Sequence, residues 1–286
     1  VTSYYGRAIL KEPVWTREIP IYFFLGGTAG AAAPFALLCE ARGDHGLARR
    51  AWLLALAGVG VSPALLISDL GRPERFHHML RVVKPTSPMN MGSWILTVSG
   101  AAFALGAVRS VLGWFPRLAR GRVAAAVAGP ALSTYTAVLV ADTAIPVWHE
   151  ARGELPFVFA AGSAMSAGGA LGLLGGGASA QRLALVGAVG ELAATTLMER
   201  RLGDLGEPYR EGDAGRFARI AKGLAAAGAV ATAAGRKRIG GALLVGAGLS
   251  TRWSVYKAGF QSARDPKYVV EPQRARRSAT SGGSDR

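Results

Sequence analysis

Four sets of ionisable or phenolic residues sit within long apolar runs or at their ends, where such groups are expensive to keep. Glu191 is the plainest, in Gly190-Glu191-Leu-Ala-Ala-Thr195-Thr196. A charge at the middle of a membrane span costs about 2.5–3.5 kcal/mol on insertion scales. Glu191 is therefore expected to be protonated, paired, or turned to a wet cavity. It would serve as a proton relay or pocket wall, or simply bond a neighbouring helix. Tyr135 and Asp142 lie two helical turns apart, so they share a face with about 10 Å between them. A phenol and a carboxyl along one groove can bind and protonate a polar head group. Ser133, Thr134 and Thr136 add hydroxyls around the tyrosine. The plainer reading is an interfacial tyrosine and a capping aspartate.

Glu18 and Tyr22 are one turn apart at the start of the first apolar run, with Trp15 just before them. An aromatic belt with a first-turn acid favoured by the helix dipole explains that segment if it stands alone. Asp69 closes the second run in Ile67-Ser-Asp69-Leu-Gly71-Arg72-Pro73-Glu-Arg75-Phe-His77-His78. It can exchange protons at the water boundary, or pair with Arg72 or Arg75. His77 and His78 point about 100° apart on a helix and chelate one metal poorly.

The elements that must hold these groups are membrane spans. The chain has 286 residues, 50% hydrophobic and only 18% charged, against about a quarter charged in soluble domains. Mean hydropathy is +0.26. The ions crowd into short stretches between Ala/Leu/Val/Gly runs of about 16–22 residues, which argues against a large soluble core. Eight spans are predicted, near 19–39, 51–68, 92–112, 122–145, 155–177, 181–198, 217–235 and 238–258. All are helical, because lipid leaves no partner for an unpaired backbone. Gly26 and Gly30, and Gly168, Gly172 and Gly176, repeat at four-residue spacing, which lets helices approach closely. A membrane domain is expected over 1–270, and a disordered basic tail over 271–286.

An even span count places both termini on one side. The loops opposite them are short and basic, with Arg42, Arg49 and Arg50, then Arg117, Arg120 and Arg122, then Arg182, then Arg236, Lys237 and Arg238. Short basic loops mark the cytoplasm, so both termini are expected outside the cytoplasmic membrane. The raw Lys+Arg count points the other way, because the terminus side is longer and carries the basic tail. The segment Tyr4-Tyr5-Gly6-Arg7 does not read as a signal peptide, and the first span is expected to direct insertion. The net charge of +15 belongs to these loops and to lipid head groups, not to nucleic acid.

Redox ligands are scarce. One cysteine, Cys39, rules out an internal disulfide and an iron–sulfur cluster within the chain. The histidines, His45, His77, His78 and His149, lie in loops or at span ends, so haem is not expected. The Walker loop, nucleophile elbow and metalloprotease motif are all absent from the sequence.

Together these segments resemble the NrfD/polysulfide-reductase membrane-subunit family, the PsrC-like quinone-interacting proteins. The matching pieces are Glu12-Pro13-Val-Trp15-Thr16-Arg-Glu18-Ile-Pro20-Ile-Tyr22-Phe-Phe-Leu-Gly26-Gly27 and Asp69-Leu-Gly71-Arg72-Pro73-Glu-Arg75-Phe. Pro85-Thr-Ser87-Pro88-Met89-Asn90-Met-Gly92-Ser-Trp94 and Tyr135-Thr136 through Pro146-Val-Trp148-His149 follow in order. Spans 1–4 carry the resemblance. The later spans match mainly in hydropathy and in Glu191.

The resemblance implies an all-α integral membrane subunit of eight helices, arranged as two four-helix bundles, whose polar loops dock a partner. That partner is a four-cluster ferredoxin-like iron–sulfur subunit, which in turn contacts a molybdopterin catalytic subunit. The cofactor implied is an exchangeable menaquinone or ubiquinone. In polysulfide-reductase relatives a span-4 tyrosine and polar residues early in span 1 bind it. Tyr135 falls at that tyrosine. Glu18 and Tyr22 lie in the matching turn, where relatives carry an amide and a histidine. Thr134 joins them as a candidate ligand. Asp69 matches a span-2 carboxyl proposed for proton movement in relatives, and Asp142 and Glu191 complete the expected proton-exchanging set. Two other functions fit the residues alone, a proton channel or transporter built on Glu191, Asp69 and Asp142, and an anchor without quinone chemistry.

Overall fold

A computed structural model describes residues 8–112 and 119–281. Tyr4–Arg7, Arg117 and residues 282–286, singled out above, lie outside them. The described residues form helices throughout, with no strand among them. In chain order these are α1 (Glu18–Ala41), α2 (His45–Ser68), α3 (Pro88–Leu112), α4 (Ala119–Ala141), α5 (Pro146–Glu150) and α6 (Leu155–Leu173). Then follow α7 (Ala178–Leu202), α8 (Gly212–Ala233), α9 (Lys237–Arg264) and α10 (Lys267–Ser281). Short 3-10 segments cover Pro73–Leu80, Ala151–Gly153 and Gly203–Tyr209.

The helix ends follow local chemistry. Asp44 caps α2 by accepting the Leu47 amide at 3.0 Å. Pro88, Pro146 and Pro156 sit in first turns, where a missing N–H costs nothing. The tight turns after α1, α6 and α8 each use a left-handed glycine: Gly43 at φ 78°, Gly175 at 78° and Gly235 at 80°. Arg42 and Arg236 stand in these turns, and Arg182 follows in the second turn of α7.

Among the described residues five helices are long and apolar enough to cross a membrane: α1, α2, α3, α4 from Gly121, and α6. The helices α7, α8 and α9 have 25, 22 and 28 residues. Ions and small residues lower their hydropathy, notably Glu191, Lys222 and Arg252. Helices α1–α4 pack as a ring of neighbours, α6–α9 form a second group, and α1 and α4 meet α6 between them. The predicted span limits differ in detail. The fourth helix stops at Ala141 rather than 145, and the last runs on to Arg264 rather than 258. Residues 271–281, expected as disordered tail, are helical in α10. Its first turn is pinned, which lets the helix propagate. Lys267 pairs with Glu207 at 2.7 Å and the Tyr268 hydroxyl donates to the same carboxylate at 3.2 Å.

A close backbone approach joins α1 to α4. A Cβ on Gly30 would lie 2.5 Å from the Gly129 carbonyl oxygen and 2.5 Å from Ser133 Oγ. Ser133 also donates to the Gly27 carbonyl at 3.1 Å. Such contact replaces the hydrophobic drive that lipid does not provide. Gly30→Val should therefore lower stability by roughly 1–3 kcal/mol through overpacking. The thermal midpoint of the full-length protein in detergent will fall. Gly223→Ala, at an α8 position with no close neighbour, should leave it unchanged or raise it.

Candidate functional site

Two polar interiors are built from different helices. The first lies at the end of the molecule that carries the start of α1 and the end of α2. Asp69 ends α2 and turns its carboxylate onto α1, accepting from the Thr16 amide at 2.8 Å and the Thr16 hydroxyl at 2.6 Å. It thereby fixes the entry of α1 against the exit of α2. The expected partners Arg72 and Arg75 do not take that role. Tyr256 of α9 joins the same corner, with its hydroxyl donating to the Trp15 carbonyl at 2.7 Å. Asp69 and Glu18 both act on this phenol electrostatically. Trp15 stacks on Trp148 with ring centroids 5.3 Å apart, and the Trp148 indole donates to the Val255 carbonyl at 2.7 Å. Outside this seal Arg264 forks onto Glu12 through two bonds of 3.0 Å, holding that carboxyl below its usual range.

One turn inside the boundary, Tyr22 of α1 and Tyr135 of α4 are both buried, and their side chains interact. The Tyr22 hydroxyl has no hydrogen-bond partner of good geometry. The Tyr135 ring lies directly on Gly92 of α3, where any Cβ would overlap the ring and hydroxyl. Ser93, the next residue, lines an apolar cleft of about 190 Å³. Its walls include Val59 and Leu66 of α2, Phe76 and Met79 of the 3-10 segment, and Leu96 of α3.

Two expected members do not join the phenols. Asp142 lies past the end of α4 and is exposed, because the helix stops one residue earlier and the two-turn projection no longer applies. Thr134 donates to the Pro130 carbonyl of its own helix at 2.9 Å and lines a separate apolar groove with Pro34 and Leu183. Glu18 is half-buried at the boundary, and Tyr22, Tyr135 and Asp69 gather around the same end.

The second interior surrounds Glu191, 2% exposed, and Arg252, 1% exposed. A Cβ on Gly162 of α6 would meet Arg252 Nη1 at 3.3 Å and Glu191 Cγ at 3.4 Å, so the two side chains converge there. Thr251 donates to the Glu191 carboxylate. Arg252 Nη2 donates to the Phe159 carbonyl at 2.8 Å and to Ser163 Oγ at 3.2 Å, and its guanidinium lies 3.9 Å from the Phe159 ring centre. Of the states expected for Glu191, the structure has it beside a polar cavity, accepting from Thr251 and facing Arg252.

Sequence reasoning missed Arg252, although a signal existed. It is the lone ion between Arg238 and Lys257, as Glu191 is between Arg182 and Glu199. Two isolated opposite charges at mid-helix are natural partners in lipid. Gly92 carried no such signal, since a glycine near a helix start reveals nothing of the ring above it. Among the described residues no group of three or more His, Cys, Asp or Glu is placed to hold a metal ion.

Apolar helices of spanning length enclosing buried ions and phenols make this a multi-pass membrane protein. It belongs to the NrfD family: the family model described as "Polysulphide reductase, NrfD" matches residues 9–177, more than half of the chain. The match covers α1–α6 and leaves α7–α9, with Glu191 and Arg252, beyond it. A search of curated proteins finds no match.

The ion pair makes a direct prediction. Glu191→Ala strands a buried guanidinium and should cost roughly 3–5 kcal/mol. Glu191→Leu combined with Arg252→Met should recover much of that loss, because well-packed apolar residues often replace a buried pair without penalty. Denaturant midpoints of the full chain in detergent measure both.

Proposed function

We propose that this chain is the quinone-reactive membrane subunit and anchor of a multisubunit oxidoreductase. It exchanges electrons between the quinone pool and a partner iron–sulfur subunit, with accompanying proton exchange. Family membership supports the general class. The observation that carries the finer reading is the pair of buried phenols, Tyr22 and Tyr135, the second seated on Gly92, whose neighbour Ser93 lines an apolar cleft. The fit is chemical. A quinone needs hydrogen-bond donors at its carbonyl and an apolar channel for its tail. The Tyr22 hydroxyl has a donor to spare, and the cleft walls are aliphatic and aromatic.

When bound, the quinone would supply two-electron, two-proton redox chemistry. Tyr135, held in place by its seat on Gly92, would orient the carbonyl, and Tyr22 would donate to it. Asp69 acts on position, tying α1 to α2 so that Tyr22 is presented correctly. Glu18, half-buried at the boundary, exchanges protons with water. The electrons must come from or go to clusters in a partner, since this chain offers no redox ligands of its own. A ferredoxin-like four-cluster subunit would dock on the face holding residues 8–17 and the turns after α2, α4 and α7, and a molybdopterin subunit would lie beyond it. Eight spans in two four-helix bundles, both termini outside the cytoplasmic membrane, and basic turns toward the cytoplasm complete the proposal. A transporter or a bare anchor leaves the spare Tyr22 donor without a task.

Tyr135→Phe tests this reading. In the purified complex it should lower quinone-coupled turnover about tenfold or more, the rate equivalent of one hydrogen bond to a reacting group. Subunit assembly should be intact on size-exclusion chromatography. Unchanged turnover, or a native complex lacking both a quinone and an electron-carrying companion, sinks the proposal.

A further inference from the structure

A polar chamber lies between α7, α8 and α9, away from the two phenols. Glu191, Thr195 and Glu199 follow one another at four-residue spacing on α7, so they line one face. All three border the chamber, together with Lys222 of α8, Tyr209 of the preceding 3-10 turn, and Thr251 and Ser254 of α9. The space open to the centre of a water molecule is about 20 Å³, room for one or two waters. Three buried polar atoms on its wall lack a protein partner: Thr195 Oγ1, Glu199 Oε1 and the Tyr209 hydroxyl. A buried polar group left unpaired is costly, so such atoms around one cavity call for water.

The ends of the chamber differ. At the inner end Glu191 is fixed by Thr251 and faces Arg252. At the outer end Glu199 Oε2 pairs with Lys222 Nζ at 2.6 Å, and the Lys222 side chain is 38% exposed. The two oxygens of Glu199 thus face different surroundings. One meets a cation at the boundary, and the other is buried on the chamber side.

We propose that this chamber is a water-holding proton conduit that connects buried Glu191 to the aqueous face beside the α7–α8 turn. Protons enter at the Glu199–Lys222 pair and pass through water held by Thr195 and Tyr209 to the Glu191 carboxylate. Each donor regains its proton from the one behind it, so the relay groups return to their starting state and the proton taken from water ends on Glu191. The charged and titratable groups facing Glu191 are Arg252 from α9, Lys222 from α8, Glu199 on its own helix, and Tyr209 from the turn. From α6 it meets Gly162, which carries no ionisable group. Arg252 holds a fixed positive charge at the blind end, which lets Glu191 lose its proton there at tolerable cost. The conduit stands on its own geometry, whether or not a quinone binds between α1 and α4.

The test is infrared spectroscopy of the full-length protein in quinone-free detergent after a rapid drop in pH. A carboxyl C=O band that appears in the native protein and vanishes in Glu191→Gln identifies the residue, and its downshift in D₂O confirms exchange with water. Thr195→Val and Tyr209→Phe keep side-chain shape and remove one hydroxyl each. Each should slow the appearance of that band by on the order of tenfold, as expected when a relay loses one link. Lys222→Met should alter the rate as well, by removing the boundary cation. A band that rises equally fast in Thr195→Val and Tyr209→Phe overturns the conduit. So does the absence of any Glu191-dependent band over the pH range in which the native protein stays folded.

Discussion

The position of α1 is the constraint on which the rest of the structure depends. Lipid tails are as apolar as leucine, so helices in a membrane associate through close fit and hydrogen bonds rather than by escape from water. The small residues of α1 present different faces to different neighbours. Gly26 meets Ser62 of α2, Gly27 meets Ser163 of α6, and Gly30 meets Gly129 of α4. A side chain at Gly27 or Gly30 would push one neighbour away and shift the others with it. Because α1 also carries Glu18 and Tyr22, the contacts that assemble the fold also set the register of the phenol. The boundary clamp of Asp69 on Thr16 fixes the same helix at its end. Packing and clamp act together: one sets how deep α1 lies, the other where it starts.

Polar groups in the interior then divide by partner. Near α1 and α4 they are phenols, and the Tyr22 hydroxyl has no hydrogen-bond partner. Near α6, α7 and α9 they are ions of opposite sign, Glu191 and Arg252, that converge at Gly162 and each take a hydrogen bond from or to a neighbouring helix. This division follows from cost. A neutral phenol can be left with a spare donor for about 1–3 kcal/mol, whereas a lone buried ion cannot be tolerated. A site meant to receive a neutral molecule is therefore better made from hydroxyls. Arg252 illustrates the opposite requirement. Its guanidinium uses a carbonyl, a hydroxyl, an aromatic face and Glu191 together, because each alone would leave too much charge exposed to a low dielectric.

Much of this was legible in the chain itself. Long apolar runs fixed the helical class, and the turn glycines and helix-start prolines marked the ends within a few residues. Asp69, Tyr22 and Tyr135 were legible because such groups are conspicuous in apolar surroundings. Asp142 was misread for a specific reason. Periodicity extends a helix until something stops it, and neither glycine nor proline stands between Tyr135 and Asp142 to show that α4 ends at Ala141. Thr134 failed differently. A threonine in a helix often bonds the carbonyl four residues back, which removes it from the ligand set. Arg252 was overlooked because α9 was read by its weak hydropathy rather than by its single ion. The tail was read as disordered from its composition. Composition did not show that Lys267 and Tyr268 both reach Glu207, sixty residues away along the chain.

The geometry at the boundary limits how protons can reach the phenols in the proposed reading. The Asp69 carboxylate accepts two hydrogen bonds from Thr16 through one oxygen, and these join α1 to α2. A group with that structural duty is a poor shuttle. Glu18 has no comparable duty to another helix. It stands one turn before Tyr22, a rise of about 5.4 Å along the same helix, and it is half-buried between water and the phenol. Tyr256, which senses both acids, stands beside it with its own proton committed to Trp15. Exchange through Glu18 therefore requires no rearrangement of the clamp. In the proposed reading Asp69, one of the expected proton-exchanging residues, serves as the fastener that keeps α1 aligned.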